Sequence, residues 1–214
     1  QLPEDVRWAL CDIAASDNGV VIAKALRDGT AVAVSDGSFK DKFGTAAWVI
    51  EGRRSDGRLE GQCIIPGGPE DQSAYRSELG GLYAIAAMVQ VICELHNIQE
   101  GSIEVACDGM NALAQVGEAD PIIRPNGAQY NIIAATQAKI KRTNIQWKMR
   151  HVMGHQDDTQ GCTVMDRWET LNCRMDEQAK QHWLQHSTQT TRVQAAVDGE
   201  PWAVWTGSSK ICGR

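Results

Sequence analysis

Two apolar runs that each end in an acid and a glycine, with one long helical stripe between them, constrain this chain more than any other feature. The first is Ala31–Ser38, AVAVSDGS, in which four small or apolar residues lead to Ser35, an acid, a glycine and a second serine. The second is Ile103–Cys107, IEVAC, followed at once by Asp108 and Gly109. A run like the first reads as a strand buried on both faces. The Gly-Ser or Asp-Gly that follows reads as the turn where the chain leaves the sheet. Between the runs, Pro69–Asn97 switches to helical period, with Leu79, Leu82, Tyr83, Ala86, Val89 and Cys93 on one face. A strand, crossover helix and strand place the two strands parallel, by the right-handed rule. If those strands are neighbours, Asp36 and Asp108 stand side by side at the carboxyl rim of the sheet, where open α/β sheets bind ligands. An Asp before Gly is equally the pattern of a turn cap, so the other acids have to decide between the two readings.

The remaining elements follow from similar signals. Val20–Leu26 reads as a short helix or a strand, and Asp28-Gly29 as the turn into the first central strand. Gly44–Ile50 and Leu59–Ile65 read as second and third strands, joined by a tip containing Ser-Asp-Gly, so the three form an antiparallel meander. Pro69, Glu70 and Asp71 suit the first turn of the helix that follows. Gly80-Gly81 inside it costs about 1 kcal/mol each against Ala, which close packing of helix on sheet would offset. Glu78 falls at the edge of the buried face, pointing toward the sheet. Gly117–Gly127 reads as a loop, Ala128–Arg142 as a helix and Ile145–Val152 as a fifth strand. Gly154–Arg167 is polar and aperiodic, a loop. Trp168–His186 is a last helix, with Asp176 beside the stripe of Leu171, Met175 and Ala179. Thr188–Arg214 carries Trp202 and Trp205, read as packing or partner contacts, and no regular pattern. The expected fold is α/β: a central five-stranded mixed sheet, three antiparallel strands then two parallel, with helices on both faces. The expected division is an N-terminal extension at 1–29, one domain at 30–186 and a C-terminal extension at 187–214.

Composition narrows the function. With 43% hydrophobic and 22% charged residues in 214, the chain is an ordinary soluble globular one. No apolar run approaches a membrane span. A start at Gln reads as a piece of a longer polypeptide, so targeting is not legible. Seven cysteines, an odd set without CxxC spacing, argue against a disulfide scaffold and a zinc site. They read as small apolar core residues in a reducing, intracellular compartment. The net charge of −6 is not that of a protein that grips nucleic acid by bulk electrostatics. Acids gathered around Mg2+ escape that argument, because the metal restores the sign locally. A tethered partner domain with a basic surface escapes it too.

Four acids fall at comparable places: Asp36 and Asp108 end strands, Glu78 opens a helix, and Asp176 faces the sheet from the last helix. His155 lies on the loop before that helix. Carboxylates gathered without basic partners repel, so such a cluster calls for cations. Oxygen ligands select Mg2+ or Mn2+ over zinc. Two such ions about 3.5–4 Å apart can clamp the attacking and leaving oxygens of an in-line phosphoryl displacement.

From Ala31 to Trp183 these residues resemble type 1 ribonuclease H. The motifs are Ser35-Asp36-Gly37-Ser38, Arg76-Ser77-Glu78-Leu79, Asp108-Gly109, Gly154-His155 and the stretch from Asn172 to Ala179, NCRMDEQA. The flavour is that of the ribonuclease H domain of a retroelement reverse transcriptase polyprotein. The resemblance implies a ribonuclease H-like fold and hydrolysis of the RNA strand of an RNA/DNA hybrid, leaving 3′-hydroxyl and 5′-phosphate ends. It implies two Mg2+ ions, with Mn2+ as a substitute. Asp36 would be shared by both, Glu78 and Asp108 would hold the ion nearer the leaving oxygen, and Asp176 the ion that activates water. His155 would assist proton transfer or product release, and Arg76 would brace the helix or the substrate backbone. The implied partners are the hybrid and a reverse transcriptase domain of the same polyprotein, with no membrane. The alternative within the same resemblance is a catalytically inactive hybrid-binding or connection domain. This sequence departs from the family at Ala74 and Tyr75, where polar residues usually read the minor groove, and at the acidic Gln156-Asp157-Asp158 after His155. Its basic handle reduces to Lys139, Lys141, Arg142, Lys148 and Arg150.

Overall fold

The apolar run that opens at Ala31 does not turn out of the sheet at Gly37-Ser38 as expected: it stays paired as strand to Lys40, so Asp36 lies within the strand, and its first six residues, Asp36 included, are all buried. The computed structural model describes residues 4–15, 17–53, 57–117, 129–154, 165–188, 205–206 and 209–210. In chain order its elements are α1 (Glu4–Arg7), β1 (Asp12–Ala15), α2 (Val20–Arg27), β2 (Ala31–Lys40), β3 (Phe43–Glu51), β4 (Arg58–Ile64) and α3 (Ala74–Leu95). Then come β5 (Ser102–Cys107), α4 (Met110–Gly117), α5 (Tyr130–Lys141), β6 (Gln146–His151), α6 (Arg167–His186), β7 (Trp205–Thr206) and β8 (Ser209–Lys210).

The main sheet runs β1-β4-β3-β2-β5-β6. β2, β3 and β4 form the expected antiparallel meander, and β5 and β6 lie parallel to β2 on its other side. The sheet therefore has six strands where five were expected. The extra one, β1, pairs antiparallel with the outer edge of β4, from Asp12 opposite Gln62 to Ala15 opposite Leu59. It is short and mostly exposed, so no alternation marks it in the sequence.

Side chains alternate across each strand, and the two faces bury separate cores. Ala33, Trp48 and Val105 join residues of α2, α3, α4 and α5 in the larger one. Val34, Ala47, Val49 and Ala106 meet Leu171, Met175 and Ala179 of α6 in the smaller. Asp36, two residues beyond Val34, therefore faces α6. On the other face α3 sits very close to β2. A Cβ at Gly81 would stand 2.7 Å from the Ser35 Cβ, and one at Gly80 would overlap Ile65. That close approach accounts for the glycine pair in the helix.

Several expectations shift. α3 starts at Ala74 rather than Pro69: Ser73 is its N-cap and accepts from the Arg76 N–H at 3.0 Å. Asp71 caps the preceding turn instead, through the Gly68 N–H at 3.0 Å. Val20–Arg27 is a helix, not a strand. α4 occupies a stretch where no element was expected, and β7 with β8 forms a small hairpin in the segment read as patternless. By length and composition α3 could cross a membrane, which no run-based reading noticed. Its apolar residues are instead spent on the core, Leu79, Leu82, Tyr83, Ile85 and Val89 among them. Of the described cysteines, Cys63, Cys93 and Cys107 are buried as expected, while Cys11 is exposed and Cys173 half-buried.

Candidate active site

The parallel register of β2 and β5 ends at Val34 opposite Ala106. Asp36 and Asp108 each follow two residues later, so the two strands deliver them together to the carboxyl rim. Glu78 reaches the same rim from the first turns of α3, and both of its carboxylate oxygens are held. The Gly37 N–H donates to Oε1 at 3.2 Å, and the Cys107 thiol donates to Oε2 at 3.1 Å. The thiol sulfur in turn accepts from the Gly109 N–H at 3.2 Å. Residue 37 has to be glycine for this approach, since a Cβ there would stand 2.6 Å from the backbone N of Glu78.

α6 closes the site from the opposite face of the sheet. Asn172, one turn before Asp176, is buried and donates its Nδ2 to Asp36 Oδ2 at 3.2 Å. Lys180, one turn after, pairs with Asp176 at 2.5 Å. The cluster is thus not wholly without cations, as the sequence reading had supposed.

Electrostatics follow from this crowding. Asp36 is 5% exposed. Burial, then the charges of Asp108 and Asp176, push its carboxyl up to about 8, against a smaller opposing pull from the Gly37 N–H and Lys180. Glu78 is raised well above its ordinary range by burial and by Asp36 and Asp108. Burial and the neighbouring Glu78 also raise the Cys107 thiol, which makes it a neutral donor rather than a thiolate. Ligand atoms of Glu78, Cys107 and Asp108 lie within 4.8 Å of one another. The crowded carboxylates offer hard oxygen donors, which suit a divalent cation such as Mg2+, beside the neutral thiol of Cys107. Asp36, Glu78, Asp108 and Asp176 are the residues that would hold it.

The other expected site residues fare differently. His155, with Asp157 and Asp158, lies outside the described residues. Arg76 is buried and braces the fold: its Nε donates to the Pro66 carbonyl at 2.8 Å, and Nη1 to Asn131 at 3.1 Å and to Gln129. The basic handle is partly committed elsewhere. Lys139 is buried against Asp5 at 2.6 Å. Arg150 pairs with Glu104 at 2.6 Å and lies over the Trp168 ring. Lys141, Arg142 and Lys148 are exposed. Trp205 falls in β7, and Trp202 lies outside the described residues.

Cys107, Asn172 and Lys180 were not singled out as site residues. The last two carried a signal, four residues either side of Asp176 on one helical face. Cys107 carried none, because a cysteine ending an apolar strand reads as core.

Fold and rim together define the class: a ribonuclease H-like α/β sheet with an acidic cluster at its carboxyl edge. Solved structures of RNase H domains are similar to this chain to differing degrees. An RNase H1 isolated from compost, crystallised in complex with an RNA/DNA hybrid, superposes with a TM-score of 0.52 at 12% identity, covering 71% of this chain and 94% of that one. The N-terminal RNase H domain of a Mycobacterium tuberculosis protein, fused to maltose binding protein, gives 0.47 at 14%, over 74% and 98%. The RNase H1 of the archaeon Halobacterium salinarum gives 0.41 at 17%, over 70% and 98%. No family model matches the chain, and no curated protein sequence does. At 12% identity, the likeness to the compost enzyme shows the ribonuclease H-like fold and no more.

Proposed function

We propose that this chain is a metal-dependent endoribonuclease that hydrolyses the RNA strand of RNA/DNA hybrids. The observation that carries the reading is the convergence of Asp36 from within β2, Asp108 from the end of β5, and Glu78 and Asp176 from α3 and α6. A turn-capping Asp needs no such company. The hybrid bound by the compost RNase H1 of the same fold favours the same substrate class.

In this reading Asp36, Glu78, Asp108 and Asp176 would hold Mg2+ or Mn2+. Two such ions, when bound, stabilise the attacking and leaving oxygens of the phosphodiester. Asn172 orients Asp36 through its amide. Gly37 and Cys107 orient Glu78. His155 is assigned to proton transfer or product release by resemblance alone. Selection of ribose over deoxyribose requires contacts to 2′-hydroxyls in the wide minor groove of an A-like hybrid. We further assign the chain to the polyprotein of an intracellular retroelement, acting beside a reverse transcriptase domain, on the strength of its motifs.

The test is cleavage of end-labelled RNA annealed to DNA, with Mg2+ or Mn2+, by the whole chain beside Asp36→Asn, with duplex DNA and duplex RNA as competitors. The expected result is metal-dependent cutting of the hybrid's RNA strand that Asp36→Asn abolishes. Tight, metal-independent hybrid binding without cutting would identify an inactive binding or connection domain instead.

A further inference from the structure

Glu78 arrives on α3 and must reach across to β2 and β5. A glutamate has three side-chain torsions, so its carboxylate stays in one place only if something fixes it. Two donors do so here. One is the backbone N–H of Gly37, the residue after Asp36, and the other is the thiol of Cys107, the residue before Asp108. The carboxylate is therefore tied to both strands that carry the other acids. The thiol is itself oriented, since the Gly109 N–H donates into its sulfur at 3.2 Å. Cys107 is fully buried, so water does not compete for Oε2 on that side.

We infer that Cys107 is a positioning residue for metal binding: its thiol fixes the Glu78 carboxylate in the orientation that completes the acidic cluster. This rests on the proposed metal-dependent function. Groups that orient ligands typically change metal affinity or activity by 10–100-fold when removed. Because S–H is a weak donor, the effect belongs at the lower end of that range. A hydroxyl in the same place preserves the donor, whereas a methyl group removes it.

The experiment titrates Mg2+ into the whole chain and follows the melting temperature, for wild type, Cys107→Ala, Cys107→Ser and Asp36→Asn. Melting in EDTA reports any purely structural loss separately. Metal that binds only the folded state adds RT ln(1 + [Mg2+]/Kd) to its stability, so the concentration at which the melting point begins to climb reports the half-saturating concentration without activity. Cys107→Ala is expected to raise that concentration about tenfold, with Cys107→Ser staying within about threefold of wild type, below the scale of a lost orienting group. The Mg2+ dependence of hybrid cleavage should move in parallel, while hybrid affinity stays unchanged. If Cys107→Ala titrates like wild type, or if the Ser and Ala variants shift equally, the inference is overturned while the metal site stands. If wild type itself gains nothing from Mg2+, the proposed function fails and this inference with it.

Discussion

At the scale of single residues, the acidic cluster stores a penalty that pH and metal should reveal. Asp36 takes up its proton near 8 in the folded chain but near 3.9 when unfolded. Between those values the folded state holds more protons than the unfolded one, so stability falls as pH rises. The slope is at most about 1.4 kcal/mol per pH unit for each such group, and Glu78 adds in the same direction. In EDTA the melting temperature is therefore expected to drop from pH 5 to pH 8. Asp36→Asn should flatten that drop and melt above wild type at pH 8. With saturating Mg2+ the order should reverse, because the wild type alone gains from the metal. Thermal melts across that range, with and without Mg2+, decide it. A flat metal-free profile would mean that Asp36 ionises at no cost, against everything its burial implies.

At the scale of elements, the rim depends on how tightly α3 and α6 are drawn to the sheet. Gly81→Ala gains helix propensity of about 1 kcal/mol, yet its Cβ would press on Ser35, the residue before Asp36. Overpacking of this kind costs about 1–3 kcal/mol. The variant is expected to lower the urea midpoint and to weaken Mg2+ binding, a pairing that a surface change would not produce. α6 is anchored by Glu51, which is 1% exposed and pairs with Arg167 at 2.9 Å and with Arg58. Glu51→Ala removes that pairing, leaving Arg167 its bonds to the Gly52 and Arg53 carbonyls at 2.7 and 3.3 Å and Arg58 its Glu60 partner at 4.0 Å. Each is about a third exposed and can turn to water, so the loss should sit near about 2 kcal/mol, below that of a fully buried pair. These tight contacts also explain what the sequence could tell. The buried strands β2, β3 and β5 and the long stripe of α3 were legible because burial and period leave a pattern, and Asp36 and Asp108 stood out as acids that interrupt apolar runs. α4 escaped because two turns with Ala112, Leu113 and Val116 inward make too short a stripe. The N-cap was misplaced because Pro69–Asp71 imitates a first turn that Ser73 actually supplies. Cys107 escaped because its role lies in a contact 29 positions away in the chain.

At the scale of the whole molecule, the open question is where the folding unit begins. Residues 1–29 read as an extension to a domain starting at Thr30, yet Val6, Trp8, Leu10, Ile22 and Leu26 are all buried in the larger core. Trp8 stacks on Tyr83 of α3 with centroids 4.9 Å apart, and the Tyr83 hydroxyl donates to the Asp5 carbonyl at 3.1 Å. Asp5 also pairs with the buried Lys139 of α5. The segment thus covers the outer face of α3 and α5 and lends β1 to the edge of β4. Fully burying a large apolar side chain is worth about 1.5–3 kcal/mol, and a whole domain holds only about 5–15 in reserve. A chain beginning at Thr30 would lose five such side chains, leave Lys139 without Asp5 and bare the edge of β4, an invitation to pair with other chains. Such a chain is expected to melt without cooperativity or to aggregate. Trp8→Ala in the full chain should cost about 3–5 kcal/mol and leave the Mg2+ half-saturation unchanged, because Trp8 packs in the core and not at the rim. If the chain from Thr30 instead melts cooperatively and answers Mg2+ as the full chain does, the N-terminal segment is an extension laid over a self-sufficient domain. If it does not, the folding unit of this protein starts at α1, and its sixth strand is part of what holds the acids in place.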